Sequence, residues 1–295
     1  MIPLLYIGVV LGQTAQTSLI KLNNRGQTTG VIRFNFFKAL APTLLFLVLL
    51  LAKGEAFHLP TMLYGILFGA CAAGSALFGY CALGLGPLSL TYMLFNCCIV
   101  VPCLYGILFQ NNTVTLLGGL GFLLMAGAMV LLNFDFSRKK QDGAKNGEHK
   151  TRVPLKWVAL IAGTMLCDGF CQVSQTAHQT AFPKEHQISF MFWGMLTWCV
   201  IYLVIALCTG KLKPKRAYLR SDLYATGSGV CIGLANYFVL RLAALSSATL
   251  LFPTISVCSM LGALIAGFLL FREKLSLQQW VGFLFGVGAV FLLQL

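Results

Sequence analysis

Of the eight acidic residues in the chain, Asp168 stands near the middle of a long apolar run, about fourteen residues from either end of a helix expected over 154–181. A carboxylate at that depth in a bilayer costs at least about 2.5 kcal/mol unless it is paired, protonated or hydrated. Advancing 100° per residue from Asp168 places Gln172 at about 40°, Gln175 at about −20° and Gln179 at about 20°, so four polar side chains form one narrow stripe. Such a stripe faces a cavity or a neighbouring helix, not lipid. In a cavity the carboxylate can take up a proton or a cation and the amides can hydrogen-bond a solute. Against a neighbouring helix the same amides serve as interhelical glue.

The first helix carries a similar set, Gln13, Gln16 and Thr17. Asn96, Asn236 and Tyr237 fall within expected spans and are further candidate liners, as are Tyr80, Tyr92, Trp193 and Trp198, although membrane aromatics commonly serve packing or the interfacial belt. Arg33 and Lys38 lie at the start of the second helix and Arg241 near the end of the eighth. Snorkelling to the interface accounts for all three; the functional alternative is that one of them holds a substrate carboxylate or pairs with Asp168. His178 lies about 80° off the stripe and reads as a bystander. Cys167 and Cys171 flank Asp168, but no third soft ligand stands at a matching position, so no metal site is expected. No phosphate-binding loop, zinc-protease motif or nucleophile elbow is present. The expectation is a protein that is not an enzyme and needs no cofactor.

Placing these side chains requires membrane helices. The chain has 295 residues, 58% of them apolar and 10% charged, against about 25% charged in a soluble domain. Ten spans of about 20 residues would use roughly 200 positions and leave no room for an extramembrane domain. Apolar runs give helices near 3–21, 31–52, 60–84, 88–109, 114–134, 154–181, 188–209, 222–244, 246–271 and 276–294. The eleven cysteines lie within these runs and read as small reduced hydrophobes. The polar residues of the first run, with no basic residue before it, mark it as a mature helix and not a signal peptide. The net charge of +13 is spread over connections between apolar runs, which orients a polytopic protein and argues against nucleic acid as a partner.

The chain also repeats itself. Gln13, Gln16 and Thr17 recur as Gln172, Gln175 and Thr176; Tyr64, Gly69, Cys71 and Phe78 as Tyr224, Gly229, Cys231 and Phe238; Gly121, Phe122, Gly127 and Ala128 as Gly282, Phe283, Gly288 and Ala289. Ordered recurrence in three helices marks a duplication. The units are residues 1–135 and 154–295, joined by a basic cytoplasmic linker at 136–153. A unit of five spans is odd, so its second copy enters the membrane from the opposite side. The charges agree: eighteen Lys and Arg fall on one face, and Lys53, Lys184 and Arg241 on the other. The basic face is cytoplasmic, which puts both termini outside the cell membrane.

Leu245 to Leu293 resembles the last two helices of the drug/metabolite transporter superfamily, in its ten-helix branch with two EamA-type repeats. The resemblance includes Pro253 in midhelix and Glu273, Leu275, Gln279 and Gly282 at the family's spacing; the first-half counterpart lacks the glutamate. It implies a transporter in which helices 1–4 and 6–9 surround a central cavity, helices 5 and 10 are peripheral, and the cavity opens to alternate sides. The expected fold is therefore an all-α integral membrane protein of ten transmembrane helices in two inverted five-helix repeats. The expected function is secondary transport, outward, of a small organic metabolite or drug, with protons as a possible co-partner at Asp168. The alternative is uptake or exchange of an anionic solute; a membrane enzyme or a non-transporting membrane protein ranks below both.

Overall fold

The computed structural model describes residues 2–25, 30–83, 97–110, 115–133, 155–210, 219–271 and 277–294. Among these all regular structure is helical: α1 Ile2–Arg25, α2 Val31–Lys53, α3 Leu59–Leu83, α4 Val100–Phe109 preceded by a 3₁₀ turn at Cys97–Ile99, α5 Leu116–Asn133, α6 Leu155–Ala181, α7 Gln187–Cys208, α8 Leu219–Ala243, α9 Ala248–Phe271 and α10 Leu277–Gln294. Expected and observed helices coincide closely, with α1 one turn longer and α8 starting three residues earlier. The first part of the expected fourth helix, the linker at 136–153, and Glu273 lie outside the described residues.

Among the described residues six helices, α2, α3, α6, α7, α8 and α9, are long and apolar enough to cross a membrane. Ten were expected. α1 has the length at 24 residues, but Gln13, Thr14, Gln16, Thr17, Asn23 and Asn24 dilute its hydropathy, and the apolar described parts of α4, α5 and α10 are shorter than a span needs. Large apolar side chains point outward on many helices, with Leu116 86% and Leu51 73% exposed. Water would oppose that surface, and a lipid environment accepts it.

Side-chain contacts give the helix directions. Along α3 and α7 residue numbers climb together: the Ser189 amide donates to Glu55 Oε2 at 3.2 Å, Gly65 lies beside Phe190, and the Tyr202 hydroxyl donates to the Ala73 carbonyl at 3.3 Å. α2 and α8 climb together likewise, from Arg33 on Asp222 through Lys38 on Gly229 to Pro42 on Gly233. α3 runs against α6, where the Ser174 hydroxyl donates to the Tyr64 carbonyl at 2.8 Å and the Cys171 thiol to that of Phe68 at 3.4 Å. α1 runs against α8, with Gly8 on Phe238 and Leu19 on Gly227. α5 and α10 pack on each other, also antiparallel, with Gln278 Nε2 donating to the Leu131 carbonyl at 3.1 Å and Gly127 against Phe285.

Candidate functional site

A cavity of about 290 Å³ lies between six of these helices. α6 turns Asp168, Cys171, Gln172 and Gln175 toward it at helical spacing, and α3 presents Phe68, Ala72, Ser75 and Ala76 from one face. α8 adds Ile232 and Asn236, while α1, α2 and α7 contribute Gln16, Lys38 and Trp198 respectively. α3 and α8 line it at matching places: Ala72 and Ile232, and Ala76 and Asn236, are each 160 residues apart, as are Gly69 and Gly229, which approach the Gly194 and Lys38 carbonyl oxygens in the same way.

Polar groups are held on facing walls. Ser75 and the half-buried Asp168 border the cavity together and Lys38 lines it from α2, so carboxylate and ammonium attract each other within it. Lys38 is itself buried, with Nζ 5.4 Å from the centre of the Trp198 ring, a distance at which the ring face attracts the cation. Gln175 Nε2 donates to Asn236 Oδ1 at 3.3 Å, bridging α6 and α8, and Gln172 Nε2 reaches Cys98 Sγ at 3.6 Å. Two buried polar atoms on the lining lack a hydrogen-bond partner: the indole N–H of Trp198, a donor, and Oε1 of Gln172, an acceptor. Buried groups of this kind are ordinarily satisfied, so their pairing with a solute or water is the expected resolution.

The remaining sequence candidates are placed elsewhere. Gln13 and Thr17 lie off the cavity lining, with the exposed Thr17 hydroxyl donating to the Gln13 carbonyl at 2.9 Å. Tyr237 packs on Phe46 and carries Arg241 over its ring at 5.9 Å; Arg241 is exposed near the end of α8 and does not reach the cavity. Its length lets the guanidinium leave the apolar zone while its stem stays packed, which corrects its candidacy as a solute-binding cation. Tyr80 is exposed and Trp193 packs with Phe57 and Phe192. Asn96 and Tyr92 lie outside the described residues. Lys38, Ser75 and the role of Trp198 are what the sequence reading underrated. No helical period singles them out, because long-range packing decides whether a long cation or an indole turns inward.

Each end of this helix group is tied. At one end Arg33 makes a bidentate pair with Asp222, Nε to Oδ1 at 2.9 Å and Nη2 to Oδ2 at 2.6 Å, both side chains being largely buried. At the other end Gln179, the last member of the stripe, leaves the cavity for a hydrogen-bond chain. Its Oε1 accepts from the Lys184 amide at 3.1 Å and from Gln187 Nε2 at 2.8 Å, which orients the side-chain amide and directs its Nε2 toward His178 Nδ1 at 2.9 Å. With Nδ1 accepting, His178 Nε2 carries the proton and donates to the Thr61 hydroxyl at 3.0 Å, which donates in turn to His58 Nδ1 at 2.8 Å. His178 is thus a structural tie between α6 and α3.

Arg33→Ala is expected to lower stability by about 2 kcal/mol, because it strands the Asp222 carboxylate among buried groups. Adding Asp222→Asn should restore part of that loss by removing the stranded charge. Thermal unfolding of the purified single and double variants measures the coupling; a double variant no more stable than Arg33→Ala alone would show that the pair carries no mutual stabilisation.

Residues 155–295 match the family model described as the EamA-like transporter family. No curated protein matches the chain. Among solved structures, 28 chains match. One, a crystal structure 14% identical in sequence, superposes with a TM-score of 0.73 over 98% of this chain and 94% of that one, a likeness of fold.

Proposed function

We propose that this chain, a multi-pass membrane protein with an EamA-like transporter domain at residues 155–295, is a secondary transporter of a small organic metabolite that exposes the cavity beside Asp168 to the two faces of the membrane in turn. The observation that carries the reading is that the cavity's walls repeat: α3 and α8 line it at matching positions and meet α7 and α2 through the same glycine contact, Gly69 on Gly194 and Gly229 on Lys38. A site built from equivalent positions of two repeats sits where two equivalent conformations of opposite opening meet. The helix directions support the inverted arrangement. α7 runs with α3 and therefore against α2, its repeat counterpart; α6 runs against α3 and therefore against α1. Repeats of opposite orientation are related by an axis in the membrane plane, and ten spans follow when α1, α4, α5 and α10 are counted with the six long apolar helices.

The direction we assign is export, with a proton exchanged for solute at Asp168. The basic face, with the linker and the Lys211 to Arg220 segment, is cytoplasmic, and both termini are outside. Single cysteines placed at residues 145 and 295 of a variant lacking its native cysteines test this: an impermeant thiol reagent added to intact cells should label the second and spare the first, and the reverse pattern would overturn the topology. Uptake or exchange of an anionic solute is the second reading, favoured by Lys38 facing the cavity. Reconstitution in proteoliposomes separates the two. With a panel of radiolabelled solutes, an imposed pH gradient should drive accumulation under the first reading, and counterflow of an anion without any gradient should dominate under the second.

A further inference from the structure

Away from the cavity, the connection between α2 and α3 is docked on the turn between α6 and α7. Glu55 Oε2 accepts from the Ser189 amide, an otherwise unpaired donor in the first turn of α7, and Phe57 meets Trp193 edge to face. His58 lies flat on His186, the ring centres 4.4 Å apart and the planes 8° from parallel, and Phe182 meets His58 edge to face at 4.7 Å. The turn adopts a costly shape to present His186: Lys184 and His186 have φ of 66° and 48°, the left-handed region that residues with a Cβ rarely occupy. Stacked imidazoles hold their nitrogen lone pairs in parallel planes, so the pair does not converge on a metal ion.

The hydrogen-bond chain beneath the stack has a fixed polarity. Gln179 uses Oε1 for the Lys184 amide and for Gln187 Nε2, so its N–H group faces His178 Nδ1 and the proton of that ring sits on Nε2. His178 therefore donates to Thr61, and Thr61 donates its single hydroxyl hydrogen to His58 Nδ1. His58 must then be the neutral imidazole with its proton on Nε2. Charging His58 adds a proton at Nδ1 and sets two hydrogens between the same two atoms. Thr61 cannot reverse, because a hydrogen turned toward His178 meets the one on Nε2, and His178 cannot move its proton to Nδ1 against the Gln179 amide. Thr61 and His178 are fully buried, so water does not repair the mismatch. We propose that this arrangement is a pH-sensitive clasp, which holds the α2–α3 connection on the α6–α7 turn while His58 is neutral and releases it when His58 takes a second proton. The other titratable and charged groups around it are His186 across the stack, His178 below with Tyr64 against its ring, Glu55 on the same connection, and the exposed Lys53, Lys184 and Glu185. A charge on His186 would add repulsion across the stack. Release frees the adjoining ends of α2 and α3 to move against each other. In the topology proposed above both connections are outside, so the clasp reads the external pH; the clasp itself does not rest on that topology.

The test is hydrogen–deuterium exchange of the purified full-length protein at about pH 7.5 and about pH 5.5, either side of the range in which imidazoles commonly titrate. Rates are corrected for the intrinsic pH dependence of exchange. The reporters are the Lys184 and Ser189 amides, both held by side chains of the clasp. Their protection in the wild type should fall at least about tenfold at the lower pH, while α5 stays unchanged. His58→Asn offers an amide oxygen to the Thr61 hydroxyl and takes up no proton, so its protection should not respond to pH. His58→Phe, which keeps an uncharged ring against His186, serves where His58→Asn gives no folded protein and should be equally unresponsive. Nitrogen-15 spectra of the wild-type imidazoles need no variant: His58 should carry its proton on Nε2 at the higher pH and protons on both nitrogens at the lower. Equal wild-type protection at the two pH values, or a His58 proton on Nδ1 at the higher pH, would overturn the proposal. So would a full pH response in the His58 variants, which would assign the trigger to Glu55 or His186. Exchange is measured without solute or bilayer, so a clasp that fails leaves the transporter reading standing, and a protein that moves no solute leaves the clasp standing.

Discussion

Asp168→Asn is expected to abolish accumulation driven by a pH gradient, a loss of at least tenfold in proteoliposomes, while exchange of solute at equal pH and saturating concentration persists. The argument begins with placement. Asp168 sits in the middle of α6, borders the cavity and is half-buried, so a proton can reach it from whichever side the cavity opens. A carboxylate that binds a solute on one side and a proton on the other couples their movements, because one site cannot hold both. Asparagine matches the carboxylate in size and stays polar toward the cavity, so the fold should survive, but it cannot exchange a proton. A purely structural Asp168 predicts the contrary pattern: poor yield from a Lys38 ammonium left without its counter-charge, with intact coupling in whatever folds. Lys38→Met combined with Asp168→Asn separates these further, since it should recover yield only if the two charges stabilise each other. Undiminished pH-driven accumulation in Asp168→Asn would remove the residue from the coupling mechanism.

The stripe on α6 was readable from a single sequence because two constraints act together on it. Helical period decides which residues share a face, and the cost of a carboxylate in lipid decides which way that face turns. Gln16 and Asn236 became readable through similar reasoning about polar residues in apolar runs. Lys38 was not readable in this way, because a long cation seven residues into a helix can reach the interface or fold inward with equal ease, and periodicity does not choose. What turns it inward is the close approach of α8 to the Lys38 backbone at Gly229, together with the Trp198 ring, both long-range contacts. Arg241 makes the opposite choice. It is chemically suited to a solute, but its place near the end of α8 lets it escape to solvent. The division of the stripe, with Gln179 serving the His178 chain and not the cavity, depends on the loop bearing Lys184 and on Gln187 at the start of α7, a connection whose path no periodicity reports.

The close approach of α2 and α8 leads to the second large effect, at Gly229. A Cβ built on Gly229 would meet the Lys38 carbonyl oxygen, and one on its repeat counterpart Gly69 would meet the Gly194 carbonyl oxygen. Both obstacles are backbone, which cannot swing aside as a side-chain tip can. Gly229 and Gly233 stand four residues apart on one face of α8, as Gly65 and Gly69 do on α3, the spacing that lets membrane helices pack backbone to backbone. Gly229→Ala must therefore push α8 off α2 along the contact that also carries Arg33 on Asp222, and the expected cost is about 3 kcal/mol, the upper part of the range for overpacking. The displacement acts on Lys38 directly, so solute binding in the protein that still folds should weaken as well. Gly119, within α5, is the matched control: a Cβ there meets nothing within 4 Å, and Gly119→Ala should leave stability unchanged or raise it by up to about 1 kcal/mol through helix propensity alone. Thermal unfolding of the two variants side by side decides the matter. If Gly229→Ala melts with the wild type, α2 and α8 are not in backbone contact at this position and the inward placement of Lys38 loses its support.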